Sequence, residues 1–453
     1  MNNIFYNILL LIILIFQWCL VLYGRSIALR LFSNRVLINF VFYIIFIKIL
    51  IHYTIPAILR INSDFQFEKV DDVKVVDILI IYFIEFFSWF FWLIGLFIAN
   101  LIYKKNNLKI EKTDFINMNI DESKFLFFII SIGFVINMYY LVSLRPMNVL
   151  FSIFSQLFFF TGISIGPLLI LASKKIFKNK LFLLLGIFVF VSSIFGIATR
   201  GALVYTVFYF LFIFFYLFYS NKNLKYLLIG TIFLILINVT LPDLFGGRVS
   251  INENGITIVP QDFSEKQGSR TFLDEVEWRL GAPTRAGTQF LYLYNENPAG
   301  INPIRNSLMG FMPRSLNENK PHPSALNAND QYSLGMYLIM GRLYGTETLM
   351  VEFPTGAHFY WEFGILGIII LSIISGLYIG LCIRFLTYKG LIAIPLIFAT
   401  FKPFGYVDPK IWVSDIVMQL YQLILPLIFL LAFIKMWNFI KTIFRIHKFQ
   451  HEN

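Results

Sequence analysis

Long apolar runs separated by short polar connections make up most of this chain. Most runs are long enough to cross a membrane, because about 20 helical residues rising 1.5 Å each span a ~30 Å hydrocarbon core. The pattern therefore predicts an all-α polytopic membrane protein. Its eleven transmembrane helices are predicted at 4–23, 37–59, 75–103, 125–143, 150–173, 181–198, 202–219, 226–242, 359–383, 391–404 and 413–434.

One long segment, residues 244–355, interrupts this pattern. It is rich in Asn, Gly, Pro, Ser and charged residues, and it contains no apolar run long enough to span. Loops of such length are usually functional. Short amphipathic helices are predicted within it at 271–280, 284–295 and 331–345. The predicted organisation is helices 1–8 over 1–243, the large loop over 244–355, helices 9–11 over 356–435, and a basic tail over 436–453.

The basic residues alternate from one connection to the next. Connections on one side of the predicted membrane hold twenty Lys and Arg, whereas the short connections on the other side hold seven. A Lys/Arg excess marks the cytoplasmic side. The N-terminus and the large loop are therefore predicted outside the cytoplasm, and the C-terminus inside.

Composition excludes several classes of protein and site. The chain is 58% hydrophobic and only 14% charged, which is unlike a soluble globular domain. The net charge of +11 arises mainly in the membrane connections, so no nucleic-acid partner is predicted. Two separated cysteines, each inside a predicted helix, predict no disulfide and no thiolate metal site. The N-terminal run lacks a basic region and a cleavage site, which predicts a retained helix.

Motifs for nucleotides and metals are missing from the sequence. There is no Gly-Lys dipeptide and hence no ATP-binding Walker A loop, no Asp-x-Asp, and no cluster among the five histidines. We therefore expect no nucleotide, metal or other cofactor. Chemistry outside the cytoplasm would then act on an already activated, lipid-linked substrate.

Arginine replaces lysine in the large loop. The loop holds seven Arg and two Lys, although Lys predominates elsewhere. Guanidinium offers a rigid fork of donors matched to phosphate oxygens, which favours a diphosphate ligand. Structural pairing with the eleven acids of the loop is an equal alternative. Three acids lie close to Arg279 in the sequence: Asp274, Glu275 and Glu277. One of them could act as a base, or they could form a solvated helix face.

Ionisable residues also lie in or beside the predicted helices. His358 opens the ninth helix, and Glu362 follows on the same face, so the pair could accept a proton near neutral pH. A helix-opening histidine bonded to backbone is the alternative. A further set of ionisable residues lies within the second and third predicted helices: Lys48, His52, Asp77 and Glu85. Pairing of these side chains inside the bundle is favoured over an ion pathway.

Three stretches resemble the Wzy-type O-antigen and capsular repeat-unit polymerases. They are ATRGALV (198–204), MPRSLNENKP (312–321) and FPTGAHFYWEFGILG (353–367). The overall layout, with a large external loop before the last helices, is also similar. Arg270 to Gly281 fits the Arg-x10-Gly motif of that family once, and no second copy occurs in a comparable loop. His358 stands where the family usually has an acid.

The resemblance implies a membrane glycosyltransferase of the GT-C-like type in the bacterial inner membrane. It would transfer a growing glycan from polyprenyl diphosphate to a lipid-linked repeat unit at the periplasmic face. Further partners implied are the lipid bilayer, a chain-length regulator and a flippase. The implied catalytic residues are His358, Glu277, Arg200 and Arg314. The implied substrate-binding residues are Arg270, Arg279, Arg285, Lys320, Arg342 and Glu362.

Three other classes compete with this interpretation. An O-antigen ligase has a similar layout and a histidine before a late helix. A lipid-linked glycan flippase or other transporter places charge in the bundle core but usually has short external loops. A chain-length regulator needs only two helices around a coiled coil, a pattern that this sequence does not have.

Overall fold

The computed structural model describes eight stretches of the chain and single positions between 410 and 442. The stretches are 2–33, 35–62, 75–104, 247–252, 255–260, 280–296, 298–309 and 354–389. The chain forms two compact units, and the features below belong to the one made of 1–111, 198–388 and 400–416.

Helices predominate in the described residues. The N-terminal helices are α1 (Asn2–Leu31), α2 (Arg35–Ile49), α3 (Ile55–Asn62) and α4 (Val75–Lys104), with a π-helical turn at Leu50–Thr54 joining α2 to α3. An antiparallel hairpin follows, made of β1 (Gly247–Asn252) and β2 (Gly255–Pro260). The remaining helices are α5 (Ala282–Glu296), α6 (Asn302–Met309) and α7 (Thr355–Lys389).

Four helical segments are long and apolar enough to cross a membrane: Ile4–Leu31, Leu37–Ile61, Val76–Ile102 and Thr355–Arg384. They confirm the predicted spans at 4–23, 37–59, 75–103 and 359–383, and the chain is a helical multi-pass membrane protein. The first helix is longer than predicted, so Arg25 and Arg30 lie on it and not in a connection. The other seven predicted spans fall wholly or mostly outside the described residues.

Apolar packing orders these helices. One large cluster joins α1, α4, α5 and the start of α7, and its members include Leu14, Tyr82, Phe290 and Trp361. The opposite face of α1 exposes apolar side chains such as Ile8 and Phe16, as a lipid-facing helix does.

The helices run in alternating directions. At one end, Arg384 of α7 donates to the carbonyl of Leu31, and Arg25 of α1 donates to Asn39 of α2. At the other end, His52 beyond α2 approaches Leu280 just before α5. Leu93 and Ala99, late in α4, lie against Gly24 of α1 and Gly380 of α7. α1, α4 and α7 therefore run parallel to one another and antiparallel to α2, in agreement with the predicted parity of spans 1, 2, 3 and 9.

Glycines bring α4 and α7 into close contact. A methyl group at Gly95 would overlap the backbone of Ile373, and one at Gly376 would overlap the backbone of Trp92. Farther along, Gly380 lies against Ala99. Small residues allow helix backbones in membranes to approach closely, and here they hold α7 directly along α4.

The large loop contains both predicted and unpredicted elements. α5 confirms the helix predicted at 284–295, whereas those at 271–280 and 331–345 lie outside the described residues except for Leu280. α6 and the hairpin were not predicted. The hairpin pairs Gly247 with Pro260 and Asn252 with Gly255, which adds two strands to a fold predicted as all-α.

Candidate functional site

Buried polar side chains gather where α7 begins. The first turn of α7 starts after Pro354, and the amide of His358 donates to the Pro354 carbonyl at 3.1 Å. His358 Nδ1 lies 2.9 Å from Glu362 Oε1, one helical turn farther on. Both side chains are fully buried. The predicted placement of these two residues on one helix face is therefore confirmed.

Aromatic rings enclose the imidazole of His358. The indole of Trp412 stacks on it, with ring centroids 4.1 Å apart and planes 4° apart. Phe290 of α5 and Trp361 of α7 each meet it edge-on, at 5.8 and 5.7 Å. These contacts hold the ring in one orientation, with Nδ1 close to the Glu362 carboxylate.

An ion pair lies beside the contact between His358 and Glu362. Glu85 of α4 forms an ion pair with Lys410, and both side chains are fully buried. Glu85 Oε1 also accepts a hydrogen bond of 2.6 Å from the amide of Gly356 in the first turn of α7. A carboxylate at this position satisfies a helix N-terminal donor and is favoured by the helix dipole. The ammonium of Lys410 also lies 4.2 Å from the ring centroid of Trp89, in cation–π geometry.

Backbone and side-chain contacts connect the two pairs. The hydroxyl of Thr355 donates to the carbonyl of Lys410 at 3.3 Å, and Trp412, two residues later, stacks on His358. Lys410 thus contacts α4 and the first turn of α7, and Trp412 contacts the histidine. Movement of Lys410 would therefore displace the ring that covers His358.

α7 is not one uninterrupted helix. Phe363 and Gly364 leave helical geometry, and Gly364 has a φ of 63°, which glycine adopts without strain. The break leaves the carbonyls of Trp361 and Glu362 available, and they accept from the amides of Ala299 and Gly300 at 3.1 and 2.9 Å. The loop segment between α5 and α6 therefore joins α7 where the histidine-bearing turns end.

α5 packs against the outer part of the same junction. Its Gly287 lies against Pro354 and Ile81, and its Tyr292 donates to Asp77 near the start of α4. Arg285 on this helix is 1% exposed. The loop thus places a buried guanidinium on an element that touches α4 and the start of α7.

The predicted site residues divide into two groups. His358 and Glu362 are in direct contact, and Arg285 lies on the neighbouring helix. The others lie outside the described residues and stay predictions: Glu277, Arg200, Arg314, Arg270, Arg279, Lys320 and Arg342. The predicted interior pairing of Glu85 is confirmed, and its partner is Lys410.

Sequence reasoning missed Lys410 and Trp412. The sequence predicts Lys410 in a short external connection between helices 10 and 11, whereas its side chain is fully buried against Glu85. The two residues are 325 positions apart, so no local pattern relates them. One signal was available, because a buried acid in a predicted membrane helix needs a cation or a donor nearby.

No group of three or more His, Cys, Asp or Glu side chains that could hold a metal occurs in the described part of the chain. A scan against protein-family models and searches of the curated proteins and the solved structures find no match to this chain.

Proposed function

We propose that this chain is a membrane glycosyltransferase that polymerises lipid-linked oligosaccharide repeat units, as its resemblance to the Wzy-type polymerases implies. One observation carries the proposal: a buried His–Glu pair lies where a loop helix with a buried arginine meets the start of a membrane span. The proposed location is the periplasmic face of the bacterial inner membrane.

The orientation of the site supports this proposal. Arg25 and Arg384 lie at one end of the described helices, and the His358–Glu362 pair lies toward the other. Because basic residues concentrate on the cytoplasmic side, the His–Glu end is assigned to the periplasm. A lipid-linked substrate would reach such a site from the outer half of the bilayer.

In the proposed reaction, a hydroxyl of the acceptor sugar attacks the anomeric carbon of the donor glycan. A new C–O bond forms, the bond to polyprenyl diphosphate breaks, and its electron pair leaves with the diphosphate. Nε2 of His358 takes the hydroxyl proton, while Glu362 at Nδ1 orients the ring and stabilises the imidazolium. Arg285 is proposed to contact the diphosphate, on which negative charge develops.

The aromatic cover of His358 sets a requirement on this mechanism. The side chain is fully buried, so an acceptor hydroxyl reaches Nε2 only after part of its surroundings moves. Trp412 covers one ring face, and Phe290 and Trp361 meet the ring edge-on. Rearrangement of this aromatic cover is therefore part of the proposed mechanism.

The proposal is tested in the host strain by deleting the gene and complementing it with variants. His358→Gln and Glu362→Gln are expected to lower polymer synthesis about 10²- to 10⁴-fold, as loss of a general base does. Gel analysis of the surface glycan should then show single repeat units. Glu296→Gln, a matched change at an exposed acid on α5, should restore long chains. Long chains with both site variants would contradict the mechanism.

The second candidate is an O-antigen ligase, which the position of His358 in the first turns of a late helix favours. The same deletion strain separates the candidates. Loss of a polymerase leaves one repeat unit attached to the lipid core, whereas loss of a ligase leaves no attached glycan. Lipid-linked units retained inside the cell would instead indicate a flippase.

A further inference from the structure

One face of α6 carries a stripe of exposed side chains. The amide of Arg305 donates to the carbonyl of Ile301 at 2.9 Å, so Ile301 belongs to the first helical turn. Ile301, Arg305 and Leu308 follow at i, i+4 and i+7, which places them on one helix face. Ile301 is 62% exposed and Leu308 is 58% exposed, and the arginine between them is also exposed.

A contact on the inward face of α6 indicates where this helix lies along α7. Ile304 packs against a cluster formed by Phe359, Leu371 and Val413. Leu371 lies seven residues beyond the break at Gly364, or about 10 Å along the helix. α6 therefore lies beside the first turns of a membrane-spanning segment.

Lipid-facing side chains of α7 lie next to this stripe. Ile365 and Leu366 directly follow the helix break and are exposed on a segment apolar enough to span. The hydrogen bond from Gly300 to Glu362 brings the chain at Ile301 close to them. Exposed apolar side chains thus occur on both α7 and α6 near this hydrogen bond.

We propose that α6 is an interfacial helix that binds the lipid bilayer. Ile301 and Leu308 insert among the acyl chains, while Arg305 extends to the headgroup level and binds lipid phosphate. Long basic side chains carry their charge to the interface in this way, and guanidinium matches phosphate oxygens. Ile301 and Leu308 can therefore lie at the level of the acyl chains while the guanidinium of Arg305 stays at the membrane surface. This role is separate from glycan transfer.

The depth of α6 is tested with spin labels on the full chain in nanodiscs of phosphatidylcholine and phosphatidylglycerol. Cys19 and Cys382 are first replaced, and single labels are then placed by Ile301→Cys and Leu308→Cys. Leu366→Cys gives the lipid reference, and Asn295→Cys at the exposed end of α5 gives the water reference. Collision rates are measured with oxygen, which concentrates in lipid, and with a water-soluble nickel chelate.

The labels at 301 and 308 should have oxygen-to-nickel ratios close to that at 366 and several times that at 295. Ratios equal to the value at 295 would overturn the proposal. Labels that are immobilised and shielded from both reagents would also overturn it, because they would indicate a protein partner on this face.

The phosphate contact is tested separately through the label at 308. Arg305→Lys keeps the charge but not the guanidinium fork, so it should lower the ratio less than Arg305→Glu does in nanodiscs containing phosphatidylglycerol. An unchanged ratio with Arg305→Glu would overturn the phosphate contact. Size-exclusion chromatography identifies variants that remain folded, and Arg305→Gln replaces any that do not. Because the labels report depth and not sugar transfer, failure here and failure of the proposed function are distinguishable.

Discussion

α4 and α7 meet at two places that depend on opposite kinds of chemistry. At the start of α7, the contact is made by charge, through Glu85, Lys410 and the amide of Gly356. Farther along, ten residues beyond Glu85 on α4 and twenty beyond Gly356 on α7, the contact is made by the absence of side chains, at Gly95 and Gly376. The same pair of helices therefore has a polar end and a close-packed middle.

The two contacts have different roles, because the charged contact positions the groups around it and the glycine contact holds the helices together. A buried ion pair is costly to desolvate and only contributes when its geometry is good, so it fixes the arrangement of the groups around it. The glycine contact depends on the shape of the helices and not on charge. Because the glycines hold the two helices together, Glu85 meets the first turn of α7 at a defined distance from His358.

Breaking the charged contact should have the largest effect. Lys410→Met leaves Glu85 buried without its cation, which should destabilise the protein by about 3–5 kcal/mol. The measurement is thermal unfolding of the purified protein in detergent, followed by fluorescence-detected size exclusion. Loss of the Trp412–His358 stack should accompany it as a change in near-ultraviolet circular dichroism.

The double variant Glu85→Gln with Lys410→Met is the matched control. Its glutamine keeps an acceptor for the amide of Gly356 and removes both charges together. It should be clearly more stable than Lys410→Met alone, since no buried charge is left unpaired. Equal destabilisation of the single and double variants would show that the ion pair does not organise this contact.

Filling the close-packed contact should have the next largest effect. Gly376→Ala places a methyl group on the backbone of Trp92, and overpacking of this kind costs about 1–3 kcal/mol. The same thermal assay measures it, with the lipid-facing Ile374→Val as the control. A neutral result at Gly376 would mean that the helices separate easily here, and the comparison with the charged contact would fail.

The smallest effect is expected between the two contacts. Ser88 and Ser372 share a hydrogen bond of 2.9 Å, and such bonds between membrane helices average about 0.6 kcal/mol. Ser372→Ala should therefore lower stability slightly, and Ser88→Ala should add little to it in the double variant. Additive losses in that double variant would argue against a shared bond.

The sequence predicted the described spans because length and apolarity alone decide whether a helix can cross a membrane. It also predicted α5 and the placement of His358 and Glu362 on one helix face, since both follow from helical periodicity. These are local properties. The hairpin was missed although the alternation of residues in its two strands, Arg248 to Asn252 and Gly255 to Val259, is a local signal too.

The remaining features could not be predicted, because they depend on tertiary partners. The break at Gly364 lies in FGILG, a stretch with the hydropathy of an ordinary membrane helix. The carbonyls that it leaves without helical partners accept from amides more than sixty residues earlier in the chain. The pairing of Glu85 with Lys410 likewise joins distant parts of the chain. Composition indicates which residues need partners, and only the fold identifies them.

The break in α7 has a consequence for how the protein is made. The stretch from 365 to 384 contains about 20 residues and can enter the bilayer alone, without the turns that carry His358 and Glu362. Those turns join the loop through Ala299 and Gly300. During biosynthesis, the ionisable side chains therefore need not pass through hydrocarbon, which would cost about 2.5–3.5 kcal/mol for each charge, and can assemble after the span is inserted.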